Sequence, residues 1–370
     1  MPSLDGLRGL AVFMVVAWHC WNVSGNASAS AVGRLAAGLL PNGIYLLFLI
    51  SGFVMYLPTA ARGRFGSVRA YALRRVARIV PAFYLSLAVL LLFWPAFVAS
   101  STPIDYPGPA AVLAHVTFLF QPLALIDDTT FSAGFAVNGP VWTLSVEALF
   151  YLTLPLVAMP FRRHPLWGLA IALGVAIVWR LALDEIDQFP FWIAPLAAGM
   201  AAAQAYVKLQ ERAAEERLRR LALVVSLLAL AAVVGLAWVA GGQDVVGGRG
   251  AYLASIESIP ISTLFPLVLG VLVVATALAP PPASWLVTNR AARWIGDRSY
   301  GVYVIHALVV RYLILHVIRP DRTGGLAEFA KWFLLVGSVS MVYGWASYRF
   351  VELPIRRRAR RVARRWQVTA

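Results

Sequence analysis

Long apolar runs alternate with short arginine- or proline-containing breaks along the 370 residues of the chain. The runs fall near residues 7–24, 39–58, 79–99, 140–160, 166–183, 191–207, 221–240, 260–279, 299–318 and 330–349. Each is close to the roughly 20 residues that an α-helix needs to cross a hydrocarbon core about 30 Å thick. The alternating pattern of a membrane β-barrel is absent. Helices satisfy their own backbone groups inside lipid, so the pattern predicts an all-α, polytopic membrane helical bundle of about ten transmembrane helices. One further apolar stretch, 109–126, would invert every later loop if it crossed, and it carries His115, Gln121 and Pro122. It is predicted to be re-entrant or non-crossing, a candidate lid or substrate wall. No internal repeat is visible, which counts against the common inverted-repeat transporters.

Composition agrees with the pattern and excludes an ordinary soluble domain. Hydrophobic residues make up 60% of the chain and charged residues 13%, with a mean hydropathy of +0.74. The first apolar segment lacks a basic leader and an obvious cleavage site, so it is read as a retained helix. A net charge of +15 raises nucleic acid as a partner. The distribution of the cations argues against it. With the N- and C-termini both cytoplasmic, 25 of the 32 Lys and Arg fall at cytoplasmic ends and loops. The basic excess therefore reflects topology and attraction to anionic membrane lipids, and no nucleic acid is expected. The basic stretch 355–370 is expected to be a cytoplasmic tail on the lipid surface, after a membrane domain over 1–354. The single cysteine, Cys20, excludes an intramolecular disulfide framework and a cysteine-based metal site. Its neighbour His19 raises a thiol relay, but adjacent helical residues point about 100° apart, which favours a buried small hydrophobe.

Candidate chemistry lies in the few polar side chains within the apolar runs. Arg8 and His19 sit eleven residues apart on one helix. That is about three turns, so they share a face and lie roughly 16 Å apart along it. Ionisable groups at such depth are costly unless they face a cavity or a partner, which makes them functional candidates, with a structural ion pair or a packed histidine as the alternative. Depth counting puts Glu147 and His19 on one level, about 10 Å from the outer surface, where a carboxylate would orient the base. Thr143, Glu147 and Tyr151 form a polar stripe at i, i+4 spacing. Glu147 is otherwise a partner for a helix-borne arginine such as Arg180 or Arg311. Ser299, Tyr303 and His306 form a second stripe, with His306 expected roughly 10 Å from the cytoplasmic edge. Ser51-Gly52 suggests close helix packing or substrate passage. Arg62, Arg64, Arg69, Arg74, Arg75 and Arg78 are read as a cytoplasmic loop, dense enough to bind phosphates or simply positive-inside.

The ordered motifs resemble the acyltransferase-3 family of integral membrane O-acyltransferases. They are Leu4-Asp5-Gly6-Leu7-Arg8-Gly9 with His19, Phe48-Leu49-Ile50-Ser51-Gly52-Phe53, and Arg74-Arg75-Val76-Ala77-Arg78-Ile79-Val80-Pro81. Trp142-Thr143-Leu144-Ser145-Val146-Glu147 follows, then Ile295-Gly296 with Ser299, Tyr300, Tyr303 and His306, then Tyr348-Arg349-Phe350-Val351-Glu352-Leu353-Pro354. Thr143 stands where relatives often have Ser, which keeps the hydroxyl. The resemblance implies transfer of an acyl group, usually acetyl, from cytoplasmic acyl-CoA to a hydroxyl on a sugar-containing acceptor. Family acceptors include surface polysaccharide, lipopolysaccharide, peptidoglycan and macrolides. It implies His19, Glu147 and Arg8 as catalytic residues, and Arg74, Arg75 and Arg78 as the binders of CoA. Asp5, Ser51, Trp142, Tyr151, Ser299, Tyr303 and His306 would line the substrate cavity, with no metal and a bacterial inner-membrane location. Many relatives carry an appended extracytoplasmic hydrolase-like domain. This chain runs sixteen residues past Pro354, so the membrane domain is expected to complete the transfer itself. A proton-coupled transporter or flippase, and a sensor or scaffold without turnover, are the competing readings.

Overall fold

The computed structural model describes residues 1–24, 30–99, 105–127, 137–183, 188–212, 215–241, 259–280, 284–321 and 325–368. Among these residues there is no strand. The early helices are α1 (Pro2–Val23), α2 (Ala31–Leu39), α3 (Gly43–Arg62), α4 (Val68–Leu92), α5 (Pro109–Val116) and α6 (Phe120–Ala124). Next come α7 (Trp142–Arg163), α8 (Pro165–Leu183), α9 (Phe189–Gln210), α10 (Glu216–Gly241), α11 (Ile259–Leu278) and α12 (Trp285–Thr288). The last are α13 (Arg290–His316), α14 (Gly325–Ser347), a π-helical turn (Tyr348–Glu352) and α15 (Leu353–Val368).

Eight helical stretches are long and apolar enough to cross a membrane, counting α2 with α3, and α14 with α15, as continuous rods. Helices α1 and α9, of 22 residues each, are about 33 Å long and also reach across a bilayer. Their mean hydropathy is lower because α1 carries Asp5, Arg8 and His19, and α9 carries Pro190, Pro195, Gln204 and Lys208. Each of the ten expected runs is thus occupied by a helix of spanning length. The stretch 109–126 forms no single helix of spanning length. It breaks into α5 and α6, of 8 and 5 residues, at Phe118, whose φ of 61° is the left-handed region. Phe118 is held there by its ring against Phe83, centroids 4.8 Å apart, and by Ser145 Oγ donating to its carbonyl at 2.6 Å. Tyr106, Pro109, Val112, Leu113 and Val116 line an open groove along α5.

Two boundaries differ from the hydropathy reading. Helix α4 begins at Val68, where Ser67 caps it by accepting from the Ala70 amide. Arg69, Arg74, Arg75 and Arg78, expected in a loop, are therefore helical. Helix α13 begins at Arg290, with Asn289 Oδ1 accepting from the Ala292 amide at 2.8 Å. Hydropathy windows miss both starts because the first turns are basic and lie outside the apolar run.

The chain forms two compact units: Met1–Val15 with Ala27–Phe65 and Leu152–Gly296, and Val16–Asn26 with Gly66–Tyr151 and Asp297–Ala370. The first unit is knit by glycines that let helices touch. A Cβ on Gly52 of α3 would overlap the Leu196 carbonyl of α9, and one on Gly199 of α9 would overlap the Leu49 carbonyl of α3. Gly38 and Gly241 play the same part between α2 and α10. Gly6 and Gly296 bring α1 against Val287 and the start of α13, which gives the glycines of Leu4–Gly9 and Ile295-Gly296 a packing role.

The second unit has a core of Leu87, Leu90, Trp94, Phe97, Val137, Ile305 and Leu308. Gly301 of α13 packs against Gly344 of α14. The segment expected as a lipid-surface tail is α15, which packs on α4 through the buried Ala359 and Ala363.

Candidate active site

Most of the expected site residues gather in the second unit, in two centres joined by two helices. At the first centre the rings of His19 on α1 and His306 on α13 are 5.2 Å apart. His306 is fully buried, and its Nδ1 lies 2.6 Å from the Tyr303 carbonyl oxygen. A carbonyl can only accept, so Nδ1 carries the proton and Nε2 keeps its lone pair. That Nε2 is buried and has no hydrogen-bond partner among the described residues.

Beside the histidines, Tyr303, Thr143 and the Pro140 carbonyl form a closed triangle. Thr143 Oγ1 lies 2.8 Å from the Tyr303 hydroxyl, and the two hydroxyls approach the Pro140 carbonyl at 3.1 and 2.9 Å. Two hydroxyl protons serve three contacts, so only two contacts are hydrogen-bonded at one time. Asn138 Nδ2 donates to the Val304 carbonyl at 3.1 Å, tying the entry of α7 to α13. Tyr303→Phe is expected to lower thermal stability by about 1 kcal/mol and turnover by less than about tenfold. The reason is that His306 is oriented by the backbone carbonyl of residue 303, which the variant keeps. Steady-state kinetics of the variant check this.

The second centre is basic and aromatic. The Tyr151 hydroxyl donates to Glu147 Oε1, and the Tyr71 hydroxyl donates to the Tyr151 carbonyl at 3.2 Å. The Arg75 guanidinium lies 5.9 Å from both the Tyr71 and Tyr151 ring centroids. Its Nε is buried and unpartnered among the described residues, and the Glu147 charge is within electrostatic reach of it. The Tyr300 hydroxyl donates to the Ile79 carbonyl at 2.9 Å, pinning α13 to α4 just beyond Arg78. Thr143, Glu147 and Tyr151 run down one face of α7 from the histidine centre to this one, about 12 Å. Helix α13 makes the same journey from His306 to Tyr300, about 9 Å.

The expected residues thus regroup. The structure gives Glu147 the neighbours Tyr151 and Arg75, and it gives His19 the neighbour His306. The expected difference in depth between His306 and His19 is not found: the two rings meet, and α13 starts at Arg290, nine residues before residue 299, so sixteen residues of helix, about 24 Å, precede His306. Ser299 is buried on the same helix. Trp142 opens α7, and Arg74 lies beside Arg75 on α4. Three expected residues belong to the first unit. Arg8 Nη1 is 3.7 Å from Asp5 Oδ1, and Ser51 lies next to the α3–α9 contact at Gly52, which favours the packing reading. Cys20 is fully buried. Arg311, considered as a partner for Glu147, donates to the Phe97 carbonyl.

Sequence reasoning gave no role to Asn138, Tyr71 or Tyr300. Only the Asn138-Gly139-Pro140 helix entry carried a local signal. Among the described residues, no group of three His, Cys, Asp or Glu side chains is placed to hold a metal ion.

Residues 1–349 match the family described as an acyltransferase domain, and the chain belongs to that family. It is 24% identical to the peptidoglycan O-acetyltransferase OatA of Listeria monocytogenes over 96% of its length, and it spans 56% of that protein. It is 27% identical to nodulation protein 10 of Rhizobium leguminosarum, covering 90% of this chain and 91% of the relative. It is 28% identical to the acyltransferase MdmB of Streptomyces mycarofaciens, covering 96% and 92%. No solved structure matches the chain.

Proposed function

We propose that the protein is an O-acyltransferase of a bacterial inner membrane that moves an acyl group, acetyl in the simplest case, from cytoplasmic acyl-CoA to a hydroxyl of a sugar-containing acceptor. The observation that carries this reading is the polar line through the second unit, with Arg75 and Arg78 at one end and His19 and His306 at the other. Arg74, Arg75 and Arg78 bind the donor phosphates, and Tyr151 with Glu147 sets the guanidinium of Arg75. The thioester extends along α7 and α13 to the histidines. His19 takes the proton of the acceptor hydroxyl as its oxygen attacks the acyl carbon. The tetrahedral intermediate collapses, the carbon–sulfur bond breaks, and the departing CoA thiolate takes up the proton. The His306 Nε2 lone pair makes it the nearest second base for that proton.

Purified protein in liposomes is to be given labelled acetyl-CoA and fractionated glycans, including peptidoglycan fragments as in the OatA relative. Free CoA and acetylated acceptor are expected in equal amounts. Substrate flux without donor consumption overturns the enzyme in favour of a transporter. In the same assay Arg78→Ala is expected to raise the donor KM by about 10- to 100-fold, the worth of one charge-assisted hydrogen bond, with kcat little changed.

A further inference from the structure

Helix α15 carries arginines at 356, 357, 358, 360, 361, 364 and 365. The packing of α15 against α4 sorts them. Arg356, Ala359, Arg360 and Ala363 share one face at i, i+3, i+4 and i+7, and the buried alanines show that this face meets α4. On α4, Tyr71, Arg75, Arg78 and Ala82 likewise share one face, with Tyr71 and Ala82 buried. Tyr71 and Arg75 on this face meet Tyr151 of α7, and the contact of α4 with α15 brings Arg78 near Arg356 against like-charge repulsion. Arg78 and Arg360 are both within electrostatic reach of Arg356.

One buried carboxylate sits between these cations. Glu352 is 1% exposed, at the end of the π-helical turn that joins α14 to α15. Its charge reaches Arg356 and Arg78, and Ser347 Oγ donates to its Oε1 at 3.2 Å. Gly301 leaves room for it, since a Cβ there would stand 3.4 Å from the same oxygen. The Tyr348 ring lies under two guanidinia, 5.0 Å from that of Arg298 and 5.9 Å from that of Arg356. A π-turn inserted into a helix commonly marks a functional site. Here it swings a carboxylate inward toward Arg78 and Arg356, and its Tyr348 ring holds Arg298 of a third helix. Two carboxylates, Glu352 and the nearby Asp297, among the guanidinia of Arg78, Arg298, Arg356 and Arg360 leave a local surplus of positive charge and a set of forked donors suited to phosphate.

We propose that α15 supplies half of the donor phosphate site: Arg356 binds a phosphate of the nucleotide end of acyl-CoA together with Arg78, and Glu352 is the positioning residue that holds the two guanidinia together. This rests on the acyl-CoA reading above. Arg75, turned toward Glu147 and Tyr151, then binds the donor phosphates on the side of the thioester path, and α15 closes the other side.

The test compares acetyl-CoA with S-acetyl-pantetheine, which lacks the phosphates, in wild type, Arg356→Ala, Arg356→Lys and, as a control on the exposed face of α15, Arg357→Ala. Arg356→Ala is expected to raise KM for acetyl-CoA by about 10- to 100-fold, leaving kcat and the pantetheine donor unchanged. Arg356→Lys is expected to recover part of the loss and Arg357→Ala to match wild type. Arg78→Ala with Arg356→Ala is expected to be less than additive, because both touch one group. Equal effects on both donors overturn the proposal. So does a loss seen only in liposomes of anionic lipid, which would assign Arg356 to lipid headgroups. If wild type binds CoA and uses acetyl-CoA but Arg356→Ala matches it, the assignment of Arg356 falls alone. If wild type binds no CoA, the donor reading falls and takes this one with it.

Discussion

His19→Ala is expected to abolish measurable acyl transfer, with a fall in kcat of at least about 100-fold, the usual worth of a positioned general base. Donor affinity should be unchanged, because the arginines that hold the donor lie at the other end of α7 and α13. His19→Gln, which keeps a polar side chain of similar length, separates loss of the base from loss of packing against His306. The measurement is CoA release under saturating acetyl-CoA, with retention of the folded protein followed by gel filtration and by CoA binding. A folded His19→Ala protein with wild-type turnover would remove His19 from the mechanism. His306→Phe sharpens the division of labour. It keeps a buried ring but deletes the Nε2 lone pair, and a fall in kcat smaller than that of His19→Ala places His306 as the second proton acceptor.

Gly52→Val is expected to be the most damaging single change in the first unit. A Cβ at residue 52 would overlap the backbone carbonyl of Leu196, and the partner contact at Gly199 is equally tight in the other direction. Backbone cannot give way as the end of a flexible side chain can, so α3 and α9 must separate. Overpacking of this kind costs about 1–3 kcal/mol, and loss of the second glycine contact adds to it. The thermal midpoint in detergent should fall by several degrees. Gly174→Ala in α8 is the control: no atom lies within 4 Å of the added carbon, and the midpoint should hold or rise because alanine is the better helix former. Equal stability of Gly52→Val and Gly174→Ala would contradict the packing.

Much of the architecture was legible in the chain because the bilayer imposes a local rule. A run of about 20 apolar residues is a crossing whatever its neighbours are, and each of the ten runs is a helix in the structure. The stretch 109–126 was also legible, since His115, Gln121 and Pro122 mark an apolar segment that cannot be a plain span. The site residues were legible as types and spacings. The Thr143, Glu147, Tyr151 and Ser299, Tyr303, His306 stripes follow from helical periodicity alone. What failed was depth and pairing. Residue counting from the edge of the apolar run placed His306 near the cytoplasmic side, because it missed the basic turns of α13 that Asn289 caps.

The sequence by itself determined the helical membrane class, the spans, the exceptional stretch 109–126 and the family, since each depends on residues close together along the chain. Tertiary structure alone decided that His19 meets His306, that Glu147 sits with Arg75 and Tyr151, and that the basic C-terminal stretch packs on α4. Those pairings depend on where each helix starts and how it is rotated against its neighbours. Ser67, Asn289, the glycine contacts and the π-turn at Tyr348–Glu352 set both, and a shift of one residue turns a side chain about 100° away from its partner.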